Sequence, residues 1–183
     1  MPCNSIHRLG STLALFLVSA MGSTATSQAG PADESEIRAL MIFNLTKFVD
    51  WPATRFEGAH SPFVVCVSGD DVVESQLERL LAGKQVQGRP VIVHRERVEP
   101  RAAECEILFL ASPRGPHLAE SIRQLSKSSV LTVTDQHLGH DGIVVGLPFE
   151  DHRIKIEIDA QAATQSRLDV SSRLLGLAEV KRP

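Results

Sequence analysis

The side chains best suited to chemistry are concentrated in Asp135-Gln136-His137-Leu138-Gly139-His140-Asp141, with Asp151 and His152 close behind in sequence. Imidazole and carboxylate ligands at such spacings can hold Zn²⁺. Yet Gly139 and Gly142 mark a turn, and no H-E-x-x-H sets two histidines on one helical face, so the expectation is a solvated loop with no metal. The second candidate is Ser68-Gly69-Asp70-Asp71. A phosphate loop at that place would need several glycines and bare N–H groups, whereas two aspartates stand there, so helix capping is expected instead. A nucleophile is harder still to find. There is no G-x-S-x-G, and Ser171 and Ser172 read as helix caps. No enzyme activity and no cofactor are expected.

Cys66 and Cys105 take their meaning from the compartment. A short polar start with His7 and Arg8 precedes an uncharged apolar run, Leu9–Met21, and then small residues ending in Ser27-Gln28-Ala29. That order is read by signal peptidase, and a run of this length is too short for the ~20 residues of a membrane span. Residues 1–29 are therefore expected to be a cleaved signal peptide and 30–183 one exported domain. Cys3 leaves with the signal. Two cysteines in an oxidising compartment read as a disulfide, with two buried thiols as the alternative. A bridge over such a loop is worth about 4 kcal/mol, so redox state could decide whether the domain folds.

Removing 29 residues from 183 leaves 154, enough for one domain with its own core. All 22 acidic residues and 18 of 19 basic ones remain, a net charge of −4. With no basic excess and no Tyr, nucleic-acid binding has no electrostatic footprint.

The elements that position these residues follow from hydrophobic period. Ile37, Leu40, Met41, Leu45 and Phe48 recur at helical spacing from Glu34 until Pro52 ends the run, which leaves Phe48 and Trp51 to pack against the domain. Phe63–Val67 is apolar throughout, as in a parallel strand buried on both faces. A helix over Val72–Leu81, a strand at Pro90–Val93, a strand at Glu106–Ala111, a helix over His117–Ser126 and a strand at Val130–Thr134 follow. The alternation predicts an α/β fold: a single three-layer domain whose mostly parallel sheet is flanked by helices. Gly142–Val145 and Arg153–Ile158 are too close for a crossover and predict an antiparallel edge hairpin near the C-terminus. Asp159–Gln165 reads as a short helix or turn, and Ser171–Ala178 as a helix packing through Leu174, Leu175 and Leu177. One conflict arises. If the strands holding Cys66 and Cys105 are parallel neighbours in register, the cysteines lie beyond the ~7 Å limit of a bridge.

Phe149 falls at the expected hairpin tip, and Arg153-Ile154-Lys155-Ile156-Glu157-Ile158 alternates so that one face meets water. Phe149, Arg153 and Glu157 are the candidate partner-binding residues.

Six segments together resemble the YfiR-like family of periplasmic proteins. They are Asn44-Leu45-Thr46-Lys47-Phe48-Val49-Asp50-Trp51-Pro52, Val65-Cys66-Val67-Ser68-Gly69-Asp70, Cys105-Glu106-Ile107-Leu108-Phe109-Leu110, Val130-Leu131-Thr132-Val133-Thr134-Asp135, Arg153-Ile154-Lys155-Ile156-Glu157-Ile158 and Ser171-Ser172-Arg173-Leu174-Leu175-Gly176-Leu177-Ala178. The resemblance implies a non-enzymatic periplasmic repressor that binds the sensor domain of an inner-membrane diguanylate cyclase and holds it off. Release then raises cyclic di-GMP and favours biofilm growth. It also implies an outer-membrane-associated sequestering protein, and histidine kinases as targets of some members; a homodimer stays open. Cys66 and Cys105 match one disulfide of that family, while a second pair found in some members is absent. The competing reading is a small-ligand-binding module using the crevice near Ser68–Asp71 and Asp135–His140, passing its signal to a membrane receptor or kinase.

Overall fold

The computed structural model describes residues 31–95, 102–114 and 118–181, with side chains from residue 34. The expected signal peptide lies outside the described residues, as does His117. Helix α1 spans Pro31–Leu45, and the chain then turns through Thr46–Phe48 into the two-residue strand β1, Val49–Asp50. Phe48 thus falls beyond the helix, although it still packs on the core as expected.

The central strands are β2 (Phe63–Ser68), β4 (Arg89–Arg95), β5 (Ile107–Leu110), β6 (Leu131–Thr134) and β7 (Val145–Gly146). They lie in the order β4-β2-β5-β6-β7, every neighbouring pair parallel. Their apolar character is explained by position, since all four residues of β5 and all four of β6 are buried. On one face, Phe63, Val65, Val67, Ile107, Phe109, Leu131 and Val133 meet α1 and helix α2 (Asp71–Leu81). On the other, Cys66, Leu108 and Leu110 meet helix α3 (Leu118–Leu125) through Leu118, Ile122 and Leu125. These are the three layers that the alternation predicts.

The edges carry what periodicity misses. Strand β3 (Gln85–Val86) turns back antiparallel onto β4. Strand β10 (Glu157–Asp159) pairs antiparallel with β7, and β12 (Glu179–Lys181) adds parallel outside β10. The antiparallel pairing near the C-terminus is as expected, but the Arg153–Ile158 run is two strands. Its first half, β9 (Arg153–Ile154), pairs instead with β8 (Phe149–Glu150) in a separate two-stranded hairpin. Helix α4 (Ala160–Gln165) starts at Asp159, whose carboxylate accepts from the Ala162 N–H. Strand β11 (Asp169–Val170) pairs with β1. Helix α5 is short, Ser172–Leu175, capped by Ser171. Leu174 and Leu175 pack as expected, whereas Leu177 is 72% exposed because α5 ends before it and the chain turns out into β12.

Cys66 and Cys105 form a disulfide with their Cα atoms 5.9 Å apart. The register does place Cys66 beside Leu108. The conflict disappears because Cys105 precedes β5. The chain arrives through a 3-10 turn, Ala102–Glu104, and lies over the sheet face that carries Cys66 and Leu108, off the line of the strand.

Candidate functional site

Two polar constellations are built on this frame, one at the disulfide and one at the C-terminal hairpin. At the first, Glu106 is 3% exposed, and its carboxylate accepts from Arg55 Nε at 3.0 Å and from the Val64 N–H at 2.5 Å. Arg55 Nη2 donates to the carbonyl of Cys105 at 3.0 Å, and Trp51 Nε1 donates to the carbonyl of Glu106 at 3.1 Å. The Trp51 ring meets Phe63 edge-on with centroids 4.9 Å apart. The only tryptophan is thus a packing residue, as expected, and its polar end is satisfied. Burial pushes the Glu106 carboxyl above its ordinary value. The Val64 N–H and the Arg55 guanidinium oppose that push. Both cysteines are joined, so neither offers a thiolate.

The second constellation joins segments far apart in sequence. Parallel pairing of β6 with β7 sets Thr134 beside Gly146, and β10 places Glu157 on the other side of Gly146. A Cβ at Gly146 would lie 2.8 Å from the Gln136 carbonyl oxygen and 3.3 Å from Glu157 Oε2. Glycine therefore lets the 136–138 segment close over β7. His137 then lies between two carboxylates: Nδ1 is 2.5 Å from Glu157 Oε1, and Nε2 is 2.7 Å from Glu150 Oε1. Glu157 Oε2 accepts from the Leu138 N–H at 2.8 Å, and Lys155 Nζ sits 2.5 Å from Glu150 Oε2.

The hairpin has a two-residue loop, Asp151-His152, with φ of 49° and 61°. Two positive values belong to the tight turn whose twist matches its strands. Ile154 packs on the core, and β9 touches α1. Phe149, paired with Ile154, is 40% exposed, and Arg153, paired with Glu150, is exposed. Of the three residues expected at a partner surface, Phe149 and Arg153 thus lie on the hairpin. Glu157 lies on β10, with both carboxylate oxygens engaged by the 137–138 segment.

The polar cluster of the 135–141 segment does not converge. Asp135 accepts from the Ser112 N–H at 2.7 Å, His137 turns to the glutamates, and Asp151 and His152 form the hairpin turn. Among the described residues no three His, Cys, Asp or Glu side chains form a group that could hold a metal ion. The strand-end crevice is similarly occupied. Asp70 caps α2 by accepting from Val72 and Val73 N–H, as its place in the sequence predicts, and Asp135 takes the Ser112 donor at the end of β5. A ligand anion would have to displace the chain's own carboxylates from both.

The links from His137 to Glu150 and Glu157 span 13 and 20 residues, and sequence reasoning missed them. The only signal was the concentration of polar residues. Among the described residues no helix is long and apolar enough to cross a membrane. No curated protein matches the chain. The family model described as YfiR/HmsC-like matches residues 35–179, from α1 to the start of β12. The match takes in the disulfide corner and the hairpin alike, and the chain belongs to the YfiR/HmsC-like family.

Proposed function

We propose that the protein is a periplasmic regulator that binds and inhibits the sensor domain of an inner-membrane signalling enzyme, a diguanylate cyclase first, with Phe149 and Arg153 of the β8–β9 hairpin in the contact. Family membership over residues 35–179 is the observation that carries this reading. A half-exposed aromatic ring beside a charged, solvent-facing strand supports the choice of surface. Glu157 serves it from behind, through His137. The Cys66–Cys105 bridge makes the regulator redox-sensitive, because one covalent link spans 39 residues of the core. A histidine kinase in place of the cyclase and an outer-membrane-associated sequestering protein are further partners in keeping with the resemblance, and a homodimer is proposed beside them without its support.

The test is affinity capture of membrane proteins. Tagged protein is incubated with detergent-solubilised membranes of its own host, with and without reductant, and bound proteins are identified by mass spectrometry. The expected result is a membrane cyclase or kinase that is retained by the oxidised protein, lost on reduction and lost with Phe149→Ala. Recovery of no membrane signalling enzyme under either condition would overturn the reading.

A further inference from the structure

Hydrogen-bond stoichiometry at His137 sets a constraint. A neutral imidazole has one N–H donor and one acceptor nitrogen, whereas an ionised carboxylate only accepts. Both ring nitrogens of His137 lie within hydrogen-bond distance of glutamate oxygens, at 2.5 and 2.7 Å. With a neutral ring, one of these contacts would set a nitrogen lone pair against a carboxylate oxygen. With an imidazolium, both become charge-assisted hydrogen bonds.

We propose that a proton on His137 clamps the β8–β9 hairpin to the sheet, and that its loss releases the hairpin. The two carboxylates belong to different bodies. Glu150 is on the hairpin, and Glu157 is on β10 in the main sheet. The ring between them is a polar tie from hairpin to sheet, and the Lys155 N–H donating to the Pro148 carbonyl closes the base of the hairpin itself.

The two glutamates favour the imidazolium, and Lys155, a cation on Glu150, works against it. Lys155 pairs with Glu150, and Glu179 on β12 and Asp151 in the turn lie near Lys155. Lys181 on β12 pairs with Asp159 at the end of β10. On the segment of His137 itself, Asp135 is turned to Ser112. His140 and Asp141 follow on that segment, and His152 and Arg153 lie at the exposed end of the hairpin. Consistent with the geometry, the His137 pKa is raised, first by its hydrogen bond with Glu157 and then by that with Glu150. The Glu150 pKa is lowered, first by Lys155 and then by His137.

The signs define a window. A raised histidine contributes stability that is complete below its ordinary value and lost as pH rises through the raised one. A lowered glutamate contributes stability present above its ordinary value and lost as pH falls through the lowered one. The clamp is closed between these limits and opens on the alkaline side through His137. That the hairpin's release matters for signalling rests on the docking surface proposed above; the clamp itself does not.

The test is made on the protein alone by nuclear magnetic resonance. The His137 ring nitrogens are titrated, and hydrogen-exchange protection of the Leu138 and Lys155 amides is followed across the same pH range. We expect His137 to titrate above the ordinary histidine value. Protection should fall across that titration by roughly tenfold for each pH unit of the shift. His137→Arg, which stays charged, should keep protection constant over the range, and His137→Gln should show the lower protection throughout. A His137 that titrates at or below the ordinary value, or wild-type protection that runs parallel to that of His137→Gln, would overturn the clamp. Failure to capture a membrane partner leaves this titration unaffected, so the two proposals fail separately.

Discussion

The guanidinium of Arg55 and the carboxylate of Glu106 meet at 3.0 Å beside the disulfide, and both are largely withdrawn from water. The same guanidinium also holds the carbonyl of Cys105. One ion pair thus joins the chain after β1 to the residue that fixes the disulfide on the sheet. Glu106→Gln should lower stability at neutral pH by about 1–3 kcal/mol. An amide oxygen can accept from either Arg55 or Val64, and its NH₂ then faces the other donor. The pH dependence checks the cause. Because the Glu106 pKa is raised, its ionised form weighs against folding. Its contribution is fully favourable below the ordinary glutamate value and is lost as pH rises through the raised one. Urea unfolding at stepped pH should therefore show the gap between wild type and Glu106→Gln widening as the solution is acidified. A gap constant with pH would contradict this account.

Joint replacement of Cys66 and Cys105 by alanine should cost about 4 kcal/mol by the chain-entropy argument for a 39-residue separation. That is a large part of what a domain of this size possesses. Urea titration of the oxidised protein, the reduced protein and the double variant is the measurement. The reduced protein and the variant should unfold at nearly the same, much lower midpoint. A midpoint unchanged by reduction would remove the basis for redox sensitivity.

The layers were legible in the sequence because Phe63–Val67 and Ile107–Leu110 are apolar on both faces, and such runs occur where helices cover a sheet from either side. The caps at Asp70 and Ser171 were legible for a similarly local reason, a side-chain oxygen within reach of the next turn. β12 was not, since Glu179-Val180-Lys181 is three residues long and is a strand only because β10 lies beside it. The division of Arg153–Ile158 was hidden for another reason. Alternation is continuous through it, while the pairing partner changes from β8 to β7. The candidate site was legible only in part. Phe149 was expected at the tip of a hairpin between Gly142–Val145 and Arg153–Ile158, whereas it lies within strand β8 of a shorter hairpin whose turn is Asp151-His152. The engagement of Glu157 by His137 depends on strand order, which no local pattern encodes.

The close approach at Gly146 leads to a prediction about the clamp that does not alter any of its charges. In Gly146→Ala the new methyl would stand 2.8 Å from a backbone oxygen of Gln136, so the 136–138 segment must move. The expected cost is about 1–3 kcal/mol. His137 should also titrate closer to the ordinary histidine value, because it is displaced from Glu157. A ring titration identical to wild type would show that the close packing at Gly146 has no part in positioning His137.

The hairpin turn can be changed in the stabilising direction. Asp151 and His152 both hold positive φ, and a side chain in that region costs about 1–2 kcal/mol where glycine has no such penalty. Asp-Gly is a preferred pair for this turn. His152 is exposed and forms the turn itself, so removing its side chain disturbs little of the packing beneath. His152→Gly should therefore stabilise the hairpin by up to about 1 kcal/mol, the relief being partly offset by the greater freedom of glycine in the unfolded chain. Hydrogen exchange at Lys155, whose N–H closes the base of the hairpin on Pro148, is the readout. Slower exchange at that amide is expected, with the His137 titration preserved, since His152→Gly changes neither Glu150 nor Glu157. If exchange at Lys155 is instead faster, the His152 side chain supports the turn through contacts that outweigh its backbone strain.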